Sequence, residues 1–267
     1  MNDREAMLIE YSNQFKTQGN RDGEFWFLGI EEGGGGSIAE VDSMLDEWDS
    51  NGRSEESVLR DPDNPSLNNQ WFGTEKNTGR VNIQKTWGAQ IRVLLSMKGL
   101  PCGTEDVRHY QMNAFGLAKG ETCLMELLPL PNPGIDKWIY SSLTKDPRFS
   151  SREAFVDHVL KTRISRFIEL VSRHQPTAVI GVCYGLGKLL EPHLDDVERV
   201  HANKGNRPGR AIIGNIGGTV VAITYHPNTP MTAPNAWYEE LGQLVADRSD
   251  SLQSEPLRVQ LPLPFAA

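Results

Sequence analysis

The sequence predicts an α/β domain with a mainly parallel central sheet. Short apolar runs that are typical of buried strands occur at 24–30, 122–128 and 177–183. Segments with apolar residues at helical spacing lie between these runs. Because strands that alternate with helices are characteristic of βαβ units, we expect the strands to lie side by side and to point the same way.

The composition is that of a globular protein. The chain has 267 residues, of which 38% are hydrophobic and 23% charged. It has no apolar run near the roughly 20 residues that a membrane helix needs, and the opening MNDREAMLIEYSNQF resembles an amphipathic helix more than a signal peptide. The formal net charge of −8 would not attract nucleic acid, so any DNA binding must come from a local basic surface.

Cysteine usage indicates a reducing compartment. Cys102, Cys123 and Cys183 are scattered along the chain and odd in number. We therefore expect a cytoplasmic protein that has no disulfide framework and no Cys-rich metal or cluster site. We also expect a monomer that needs no cofactor.

The first half of the chain contains two predicted helices and a long loop. The first helix spans Ser37–Trp48, with Ser37 as N-cap and Glu40 at the capping-box position. Residues 49–80 are rich in Asn, Asp, Gly, Ser and Pro, which predicts a long loop or insertion. The next helix spans 83–97, where apolar residues recur at helical spacing.

The second half continues the alternation and completes one domain, residues 1–247. A long helix is predicted over 151–173, and a shorter one follows the strand at 177–183. Two more strands flank Gly217 and Gly218, the second ending at His226, and a last helix covers 234–246.

Four unusual segments follow predicted strands. They are GIEEGGGG, LPLPNPG, GVCYGLGK and YHPNTP. In parallel α/β sheets, ligands bind outside the carboxyl ends of the strands. We therefore expect these four segments to form one site.

The segment GIEEGGGGS at 29–37 carries two carboxylates in a glycine-rich turn. A dinucleotide-binding turn would need G-x-G-x-x-G, which Glu31 breaks, and a phosphate-binding loop would need Gly-Lys-Ser or Gly-Lys-Thr. Carboxylates here suit the activation of water or the stabilisation of a developing positive charge. The alternative is a tight turn made of conformationally permissive residues.

YHPNTP follows the last predicted strand. A neutral or charged His226 can donate a hydrogen bond to a leaving group, and Pro227 would fix the neighbouring backbone. The alternative is a partly buried histidine at the end of a strand.

Together these segments resemble the uracil-DNA glycosylase superfamily. GIEEG at 29–33 is similar to a first motif of the kind G-x-D-P-Y, G-I-N-P-G or G-E-A-P-G, and HPN at 226–228 is similar to a second, of the kind H-P-S-P-L or N-P-S. The order of the strands between them also matches, so the resemblance covers roughly residues 20–247. It implies a three-layer α/β/α sandwich around a parallel sheet.

The sequence also departs from the family pattern. Glu32 replaces the proline of the first motif, and Glu31 stands where the family has Asp, Asn or Ala. Gly33 takes the place of the bulky aromatic residue that blocks 5-substituted pyrimidines in uracil-specific members. Three cysteines are too few for the four-cysteine iron–sulfur cluster of some branches.

The resemblance implies a monofunctional DNA glycosylase, which flips a damaged or modified base out of DNA and hydrolyses its N-glycosidic bond. In that role Glu31 would orient water and stabilise the sugar cation, Glu32 is a second candidate, and His226 would hydrogen-bond the departing base. The remaining predicted base-binding residues are Gly29, Ile30, Gly33, Glu126 and Asn228.

DNA contacts are predicted on both sides of this site. Met231, after Pro230, resembles the family's wedge that fills the vacated stack. Backbone amides at Gly185 and Gly187, with Lys188, would meet a phosphate at a helix N-terminus. A basic loop that could grip the backbone, or could be a solvated turn, contains Lys204, Arg207 and Arg210.

Glu126 suggests which base is bound. An asparagine near this position reads the pyrimidine edge in uracil-specific members, whereas a carboxylate accepts a hydrogen bond from the cytosine N4 amino group. With the space at Gly33, this favours a cytosine with a bulky 5-substituent, such as those of some phage genomes, and hence a role in antiviral defence. Glu126 could instead pair or cap at a strand end.

Three other functions remain open: uracil excision repair, a non-catalytic nucleic-acid-binding module of the same fold, and an enzyme of another α/β family that acts on free nucleosides. Pure binding would require neither the glutamates nor His226. The proline-rich loop and the wedge candidate favour DNA over a free nucleoside.

The C-terminal tail, residues 248–267, is predicted to be a flexible tether that ends in QLPLPF. That ending resembles the Gln-Leu-x-Leu-x-Phe peptides that bind the bacterial sliding clamp, through Gln260, Leu261, Leu263 and Phe265. The alternative is a strap whose apolar residues pack on the domain.

Overall fold

A mixed sheet of eight strands organises the residues that the structure, a computed structural model, describes: 3–57, 73–134, 136–204, 207–227 and 235–254. The strands are β1 (Thr17–Gly19), β2 (Phe25–Glu31), β3 (Glu56–Ser57), β4 (Thr122–Leu128), β5 (Ala178–Gly181), β6 (Asp195–Lys204), β7 (Arg207–Ile216) and β8 (Thr219–Thr224). The helices are α1 (Asp3–Asn13), α2 (Ile38–Ser50), α3 (Lys85–Met97), α4 (Thr104–Asn113), α5 (Arg152–His174), α6 (Tyr184–Leu190) and α7 (Asn235–Ser254).

The four central strands are parallel, as the sequence predicts. The strand order across the sheet is β3-β1-β4-β2-β5-β8-β7-β6, and the pairs β4–β2, β2–β5 and β5–β8 all run parallel. Antiparallel pairing occurs outside this centre, between β1 and β4, β6 and β7, and β7 and β8. The carboxyl ends of β4, β2, β5 and β8 therefore lie along one edge.

Helices cover both faces of the sheet, so the architecture is compatible with a three-layer sandwich. On β2, Phe25 and Phe27 pack in a core with α3, α4 and α7, whereas Trp26 and Leu28 pack in a second core with α5 and α6. A third apolar cluster joins α1 and α2 to the start of α5. Burial on both faces explains why the central strands are continuous apolar runs.

The predicted cap of α2 is half correct. The Ser37 hydroxyl accepts a hydrogen bond from the Glu40 amide at 3.2 Å. The Glu40 carboxylate, however, accepts from the Gly36 amide at 2.9 Å rather than from Ser37. The glycine turn thus brings the preceding amide within reach, and the helix continues to Ser50, two residues beyond the prediction.

The predicted loop at 49–80 contains a strand. Its residues 56–57 form β3, which pairs in parallel with β1 at the edge of the sheet. Thr74 and Val81 also form an antiparallel bridge. Residues 58–72 lie outside the described ranges.

The predicted basic loop is wrong in its structure. Lys204 ends β6 and Arg207 begins β7, where the two residues are paired, and Arg210 pairs with His201 further along the same hairpin. The sequence of β6, DDVERVHANK, is polar because β6 is an edge strand, so it lacks the apolar signal of a buried strand. In the same region β8 ends at Thr224 rather than at His226.

The domain also extends past its predicted boundary at 247. Helix α7 continues to Ser254, so the part of the predicted tether before residue 255 is helical. Polar contacts hold this end of the helix, since the Arg248 guanidinium donates to the Asp196 carbonyl at 3.0 Å and to Asn215 Oδ1 at 3.2 Å. Ser249 is buried. The possible clamp-binding residues after 254 lie outside the described residues.

Candidate active site

The four segments predicted to form one site do follow the four parallel strands. The glycine turn follows β2 and contacts the LPLPNPG segment after β4, where the Asn132 amide donates to the Glu32 carbonyl at 2.8 Å. After β5, the ring of Tyr184 stacks on that of Tyr225, which follows β8, with centroids 4.9 Å apart. The structure therefore confirms that the described parts of these segments share one edge; residues 228–230 of YHPNTP lie outside the described ranges.

The glycines between Glu32 and Ser37 have two different uses. Gly35 has a φ of +66°, and a Cβ there would lie 2.5 Å from the Pro131 carbonyl oxygen, so a larger residue would push the two loops apart. Tyr140 fixes the other side of that carbonyl by donating a hydrogen bond at 2.7 Å. By contrast, a Cβ at Gly33 or Gly34 would meet no described atom within 4 Å. The turn is thus closely packed at Gly35 and open at Gly33.

Gly29 and Glu126 are neighbours on β2 and β4 and form the centre of the site. Their Cα atoms are partners in the parallel ladder. A Cβ at Gly29 would lie 1.9 Å from Glu126 Oε2 and 2.2 Å from Oε1. The carboxyl group of Glu126 therefore lies over Gly29, so a side chain at position 29 would require this carboxyl group to move.

Glu126 is an enclosed acid. Its Oε2 is buried and has no hydrogen-bond partner among the described residues. Desolvation raises the pKa of Glu126 to about 8, and the nearby carboxylates of Glu32 and Glu31 contribute to the rise. At neutral pH most of this carboxyl group is protonated, so it carries both a hydrogen-bond donor and an acceptor.

Glu31 is held in an ion pair by Arg152, the first residue of α5. Arg152 Nη2 lies 2.9 Å from Glu31 Oε2, and Nε lies 3.2 Å from both carboxylate oxygens. Both side chains are largely buried. The pair fixes the orientation of Glu31, and its carboxylate oxygens retain further lone pairs that can accept from water.

Glu32 follows β2 and is exposed to solvent. Desolvation by the surrounding protein nevertheless raises the pKa of Glu32 above its ordinary value. Lys16 partly offsets this rise, and its amine donates to the Tyr11 hydroxyl at 3.1 Å.

His226 follows β8 and is half-buried. Its Nε2 lies 3.2 Å from the Thr86 hydroxyl in the first turn of α3, and the direction of that hydrogen bond depends on the tautomer. Desolvation lowers the pKa of His226, so the ring is mostly neutral at neutral pH. A neutral ring has one N–H donor and one acceptor nitrogen.

His226 and Glu126 stand on opposite sides of the site. Strands β4 and β8 are three strand spacings apart, about 14 Å. Gly29 of β2 lies between them.

Asn132 provides a second buried polar atom without a partner. Its side chain is 6% exposed, and Nδ2 donates to the Gly134 carbonyl at 2.8 Å. Its Oδ1 has no hydrogen-bond partner within the described part of the chain. Buried acceptors without a partner are rare in folded proteins.

Arg163 supports the site from the opposite side of β4. It is buried on α5 and donates to the carbonyl oxygens of Leu127 at 2.7 Å, Glu126 at 3.1 Å and Gln14. Its guanidinium lies over the Phe15 ring. Burial lowers the pKa of Arg163 to about 10, which still leaves it charged at neutral pH. Arg163 thus fixes the carboxyl end of the strand that carries Glu126.

The other predicted residues have mixed outcomes. Ile30 points to the face opposite Gly29, where it packs with apolar residues. Gly187 is buried, and a Cβ there would lie 2.7 Å from Ile212, which gives this glycine a packing role. Gly185 and Lys188 are exposed on α6, and Arg210 is partly buried in the β6–β7 hairpin. Asn228, Pro230 and Met231 lie outside the described residues.

Sequence reasoning missed Arg152, Arg163, Thr86 and Asn132. Arg152 carried a usable signal, because a cation in the first turn of a helix opposes the helix dipole and implies an anionic partner. Arg163 carried another, since it interrupts the apolar face of a helix. Nothing in the sequence linked Thr86 to His226, which is 140 residues away.

Comparisons with known proteins assign no family. No protein-family model matches the chain, and no curated protein matches its sequence. Among the described residues, no group of three or more His, Cys, Asp or Glu side chains is arranged to hold a metal ion. None of the described helices is long and apolar enough to cross a membrane.

Proposed function

We propose that this chain is a monofunctional DNA glycosylase of the uracil-DNA glycosylase type, which hydrolyses the N-glycosidic bond of a flipped, modified base. The observation that carries the proposal is the position of Glu126 over Gly29, beside two further glutamates, at the carboxyl ends of parallel strands. The order of the four parallel strands supports the resemblance, since the glycine motif follows β2 and the His-Pro motif follows β8.

The two glutamates of the first motif have different roles in the attack of water on the sugar. Cleavage of the bond develops positive charge on the sugar, and Glu31, whose orientation is fixed by Arg152, stabilises that charge. Glu32 accepts the proton of the attacking water, because its raised pKa makes it a better base than an ordinary carboxylate. Two carboxylates in different environments can in this way serve different roles.

His226 acts on the departing base. As a neutral ring it donates one hydrogen bond, and Thr86 orients it. Charge that develops on a base oxygen in the transition state would be stabilised by that donor.

The preferred substrate is a cytosine with a bulky 5-substituent. Glu126 accepts a hydrogen bond from the N4 amino group, and the open space at Gly33 receives the substituent. Because hypermodified cytosines occur in some phage genomes, the biological role would be antiviral defence.

Uracil excision is the second candidate, and one observation favours it. A protonated Glu126 can also donate to the uracil O4 atom and accept from N3–H, so the argument that a carboxylate excludes uracil does not hold at neutral pH. A non-catalytic binding module is less well supported, because an enclosed acid without a partner costs stability that pure binding does not require.

Incubation with oligonucleotides that differ in one base tests the proposal. The set contains 5-hydroxymethylcytosine, 5-propynylcytosine, cytosine, uracil and thymine, in single and double strands, and alkali then cleaves any abasic site. We expect cleavage at the 5-substituted cytosines. Cleavage at uracil alone would select the repair function, and intact strands throughout would contradict a glycosylase.

DNA binding and the clamp are further proposed partners. The exposed Lys188 and the β6–β7 hairpin are candidates for DNA contact, because the net charge is negative and binding needs a local basic surface. The tail would tether the enzyme to the sliding clamp and raise its concentration at the replication fork.

A further inference from the structure

The protonated carboxyl group of Glu126 can both donate and accept a hydrogen bond, whereas an ionised carboxylate that recognises a base can only accept. The Glu126 carboxyl group lies directly over Gly29, and its buried Oε2 has no partner among the described residues. A protonated carboxyl presents a donor and an acceptor side by side. A ligand that pairs with this carboxyl group must therefore present an acceptor and a donor side by side.

The pairing edge of cytosine has that arrangement. Its N3 atom is an acceptor with a basic lone pair, and the adjacent N4 amino group is a donor. A base that lies against Glu126 would therefore receive a hydrogen bond at N3 and give one from N4. The proton of Glu126 then points at the most basic atom of the base.

We infer that Glu126 is the general acid that protonates N3 of a departing cytosine, an inference that rests on the proposed function. It is a catalytic residue because it touches the reacting base, and its role exceeds the recognition of N4.

The step balances without any co-reactant other than water. Water attacks C1′, the C1′–N1 bond breaks, and its electron pair moves into the base. The proton of Glu126 moves to N3, which leaves a neutral cytosine tautomer and an ionised Glu126. The attacking water loses a proton to Glu32, and solvent exchange later returns a proton to Glu126.

Leaving-group chemistry explains why an acid is useful here. An electron pair on uracil is delocalised over two carbonyl oxygens, so uracil can depart as an anion that hydrogen bonds stabilise. Cytosine has one carbonyl and a less acidic ring, so its anion is a poorer leaving group. Protonation at N3 removes the need to form that anion, and general acid catalysis of this kind typically contributes about 10²- to 10⁴-fold.

The charges around Glu126 favour a proton that is held until the bond breaks. Glu31, which ends β2, and Glu32, which follows it, raise the pKa of Glu126. Arg163 donates to its backbone carbonyl from behind the strand, and Arg152 and Lys16 partly neutralise Glu31 and Glu32. His226, on the far strand, is mostly neutral. Loss of the proton would therefore place a third negative charge in the site.

Glu126→Gln is the variant that tests this role, because an amide keeps one donor and one acceptor but has no transferable proton. Affinity is measured with a 5-hydroxymethylcytosine oligonucleotide whose 2′-fluoroarabino sugar resists hydrolysis. Rates are measured under single-turnover conditions with 5-methylcytosine and 5-fluorocytosine, of which the fluorinated base is the better leaving group. Glu24→Gln, an exposed position on the same domain, is the matched control.

We expect Glu126→Gln to bind the resistant oligonucleotide like the wild type and to lose about 100-fold or more in rate. The loss is expected to be smaller for 5-fluorocytosine than for 5-methylcytosine, a dependence that a purely structural role would not produce. The wild-type rate should fall as pH rises through about 8, and the variant should lack that decline.

Several results would contradict the general-acid role of Glu126, and each can be told apart from a failure of the proposed glycosylase function. If the wild type excises cytosines and Glu126→Gln is equally fast, Glu126 is not the general acid, but the protein is still a glycosylase. If the wild type excises only uracil, Glu126 is again not the general acid for a cytosine. A wild-type rate on cytosine that is constant through pH 8 contradicts the general-acid role even if the variant does not fold. A wild type that releases no base from any strand refutes the proposed function itself.

Discussion

Replacing Glu126 by Gln should stabilise the folded protein at alkaline pH. The pKa of Glu126 is raised from its ordinary 4.5 to about 8 in the folded state, chiefly because the enclosed carboxyl group is desolvated. A carboxyl group with a raised folded-state pKa binds its proton more tightly in the folded than in the unfolded chain. The stabilisation that the protonated Glu126 contributes is therefore fully present below pH 4.5, and it is lost as pH rises through about 8.

The size of this effect follows from the two pKa values. One pKa unit corresponds to about 1.4 kcal/mol, so a rise from 4.5 to about 8 corresponds to about 5 kcal/mol between the two ends of the window. This is an upper bound, because solvent reaches part of the side chain. It is still a large share of the roughly 5–15 kcal/mol that stabilises a typical domain.

Urea denaturation across this pH window measures the effect in the wild type, Glu126→Gln and the control Glu24→Gln. As pH rises, the wild type should lose stability relative to Glu126→Gln. The difference between their free energies of unfolding should reach several kcal/mol above about pH 8. Glu24→Gln should follow the wild type. Parallel profiles for Glu126→Gln and the wild type would show that this carboxyl group titrates normally and would refute the reasoning.

Four further predictions concern other parts of the molecule. Gly29→Ala should lower the free energy of unfolding by about 1–3 kcal/mol, because its Cβ would collide with the Glu126 carboxyl; adding Glu126→Ala should recover part of this loss in a double-mutant cycle, and strictly additive losses would contradict the contact. Glu31→Gln and His226→Ala should each slow single-turnover excision by orders of magnitude while DNA affinity survives, and near-normal rates would remove these residues from the mechanism. Arg163→Lys should lower the melting temperature, because an ammonium group cannot reach three carbonyl oxygens as the guanidinium does; an unchanged melting temperature would assign Arg163 no structural role. Deleting residues 258–267 should abolish binding to the sliding clamp and leave the melting temperature and the excision of short oligonucleotides unchanged, whereas a large drop in melting temperature without clamp affinity in the intact chain would favour a packed strap.

The buried strands and the helices that pack on them could be predicted from the sequence. The run at 24–30 and the segment Thr122–Leu128 coincide with β2 and β4 to within a residue, since strands buried on both faces must be apolar throughout. The long helix predicted over 151–173 is also correct to within a residue at each end. Local patterns sufficed because tertiary packing and local preference agree at these positions.

Prediction failed where an element is stabilised by specific contacts rather than by apolar pattern. Strand β6 is polar because it lies at the sheet edge, and the end of α7 is polar although Arg248 and Ser249 anchor it. Helix α4 was not predicted at all; its sequence TEDVRHYQMN has few apolar residues. Such elements lack the periodicity on which sequence interpretation depends.

For the site, the sequence predicted which segments follow the parallel strands, but it did not predict which side chains contact Glu31 and His226. Parallel topology was enough to bring GIEEGGGG and YHPNTP to one edge. The Arg152–Glu31 ion pair and the contact of Thr86 with His226 join residues that are 121 and 140 positions apart. The close approach of the Glu126 carboxyl group to Gly29 depends on the register between β2 and β4. None of these follows from local pattern.

The most direct test of the central claim is the fate of the glycosidic bond itself. A 5-hydroxymethylcytosine oligonucleotide is treated with the protein in water labelled with heavy oxygen, and both products are analysed by mass spectrometry. The account predicts an intact free base without label and an abasic strand, and it predicts that the Glu31→Gln variant forms both products orders of magnitude more slowly. An unchanged strand, or a base altered while still attached to its sugar, would contradict hydrolysis at this site.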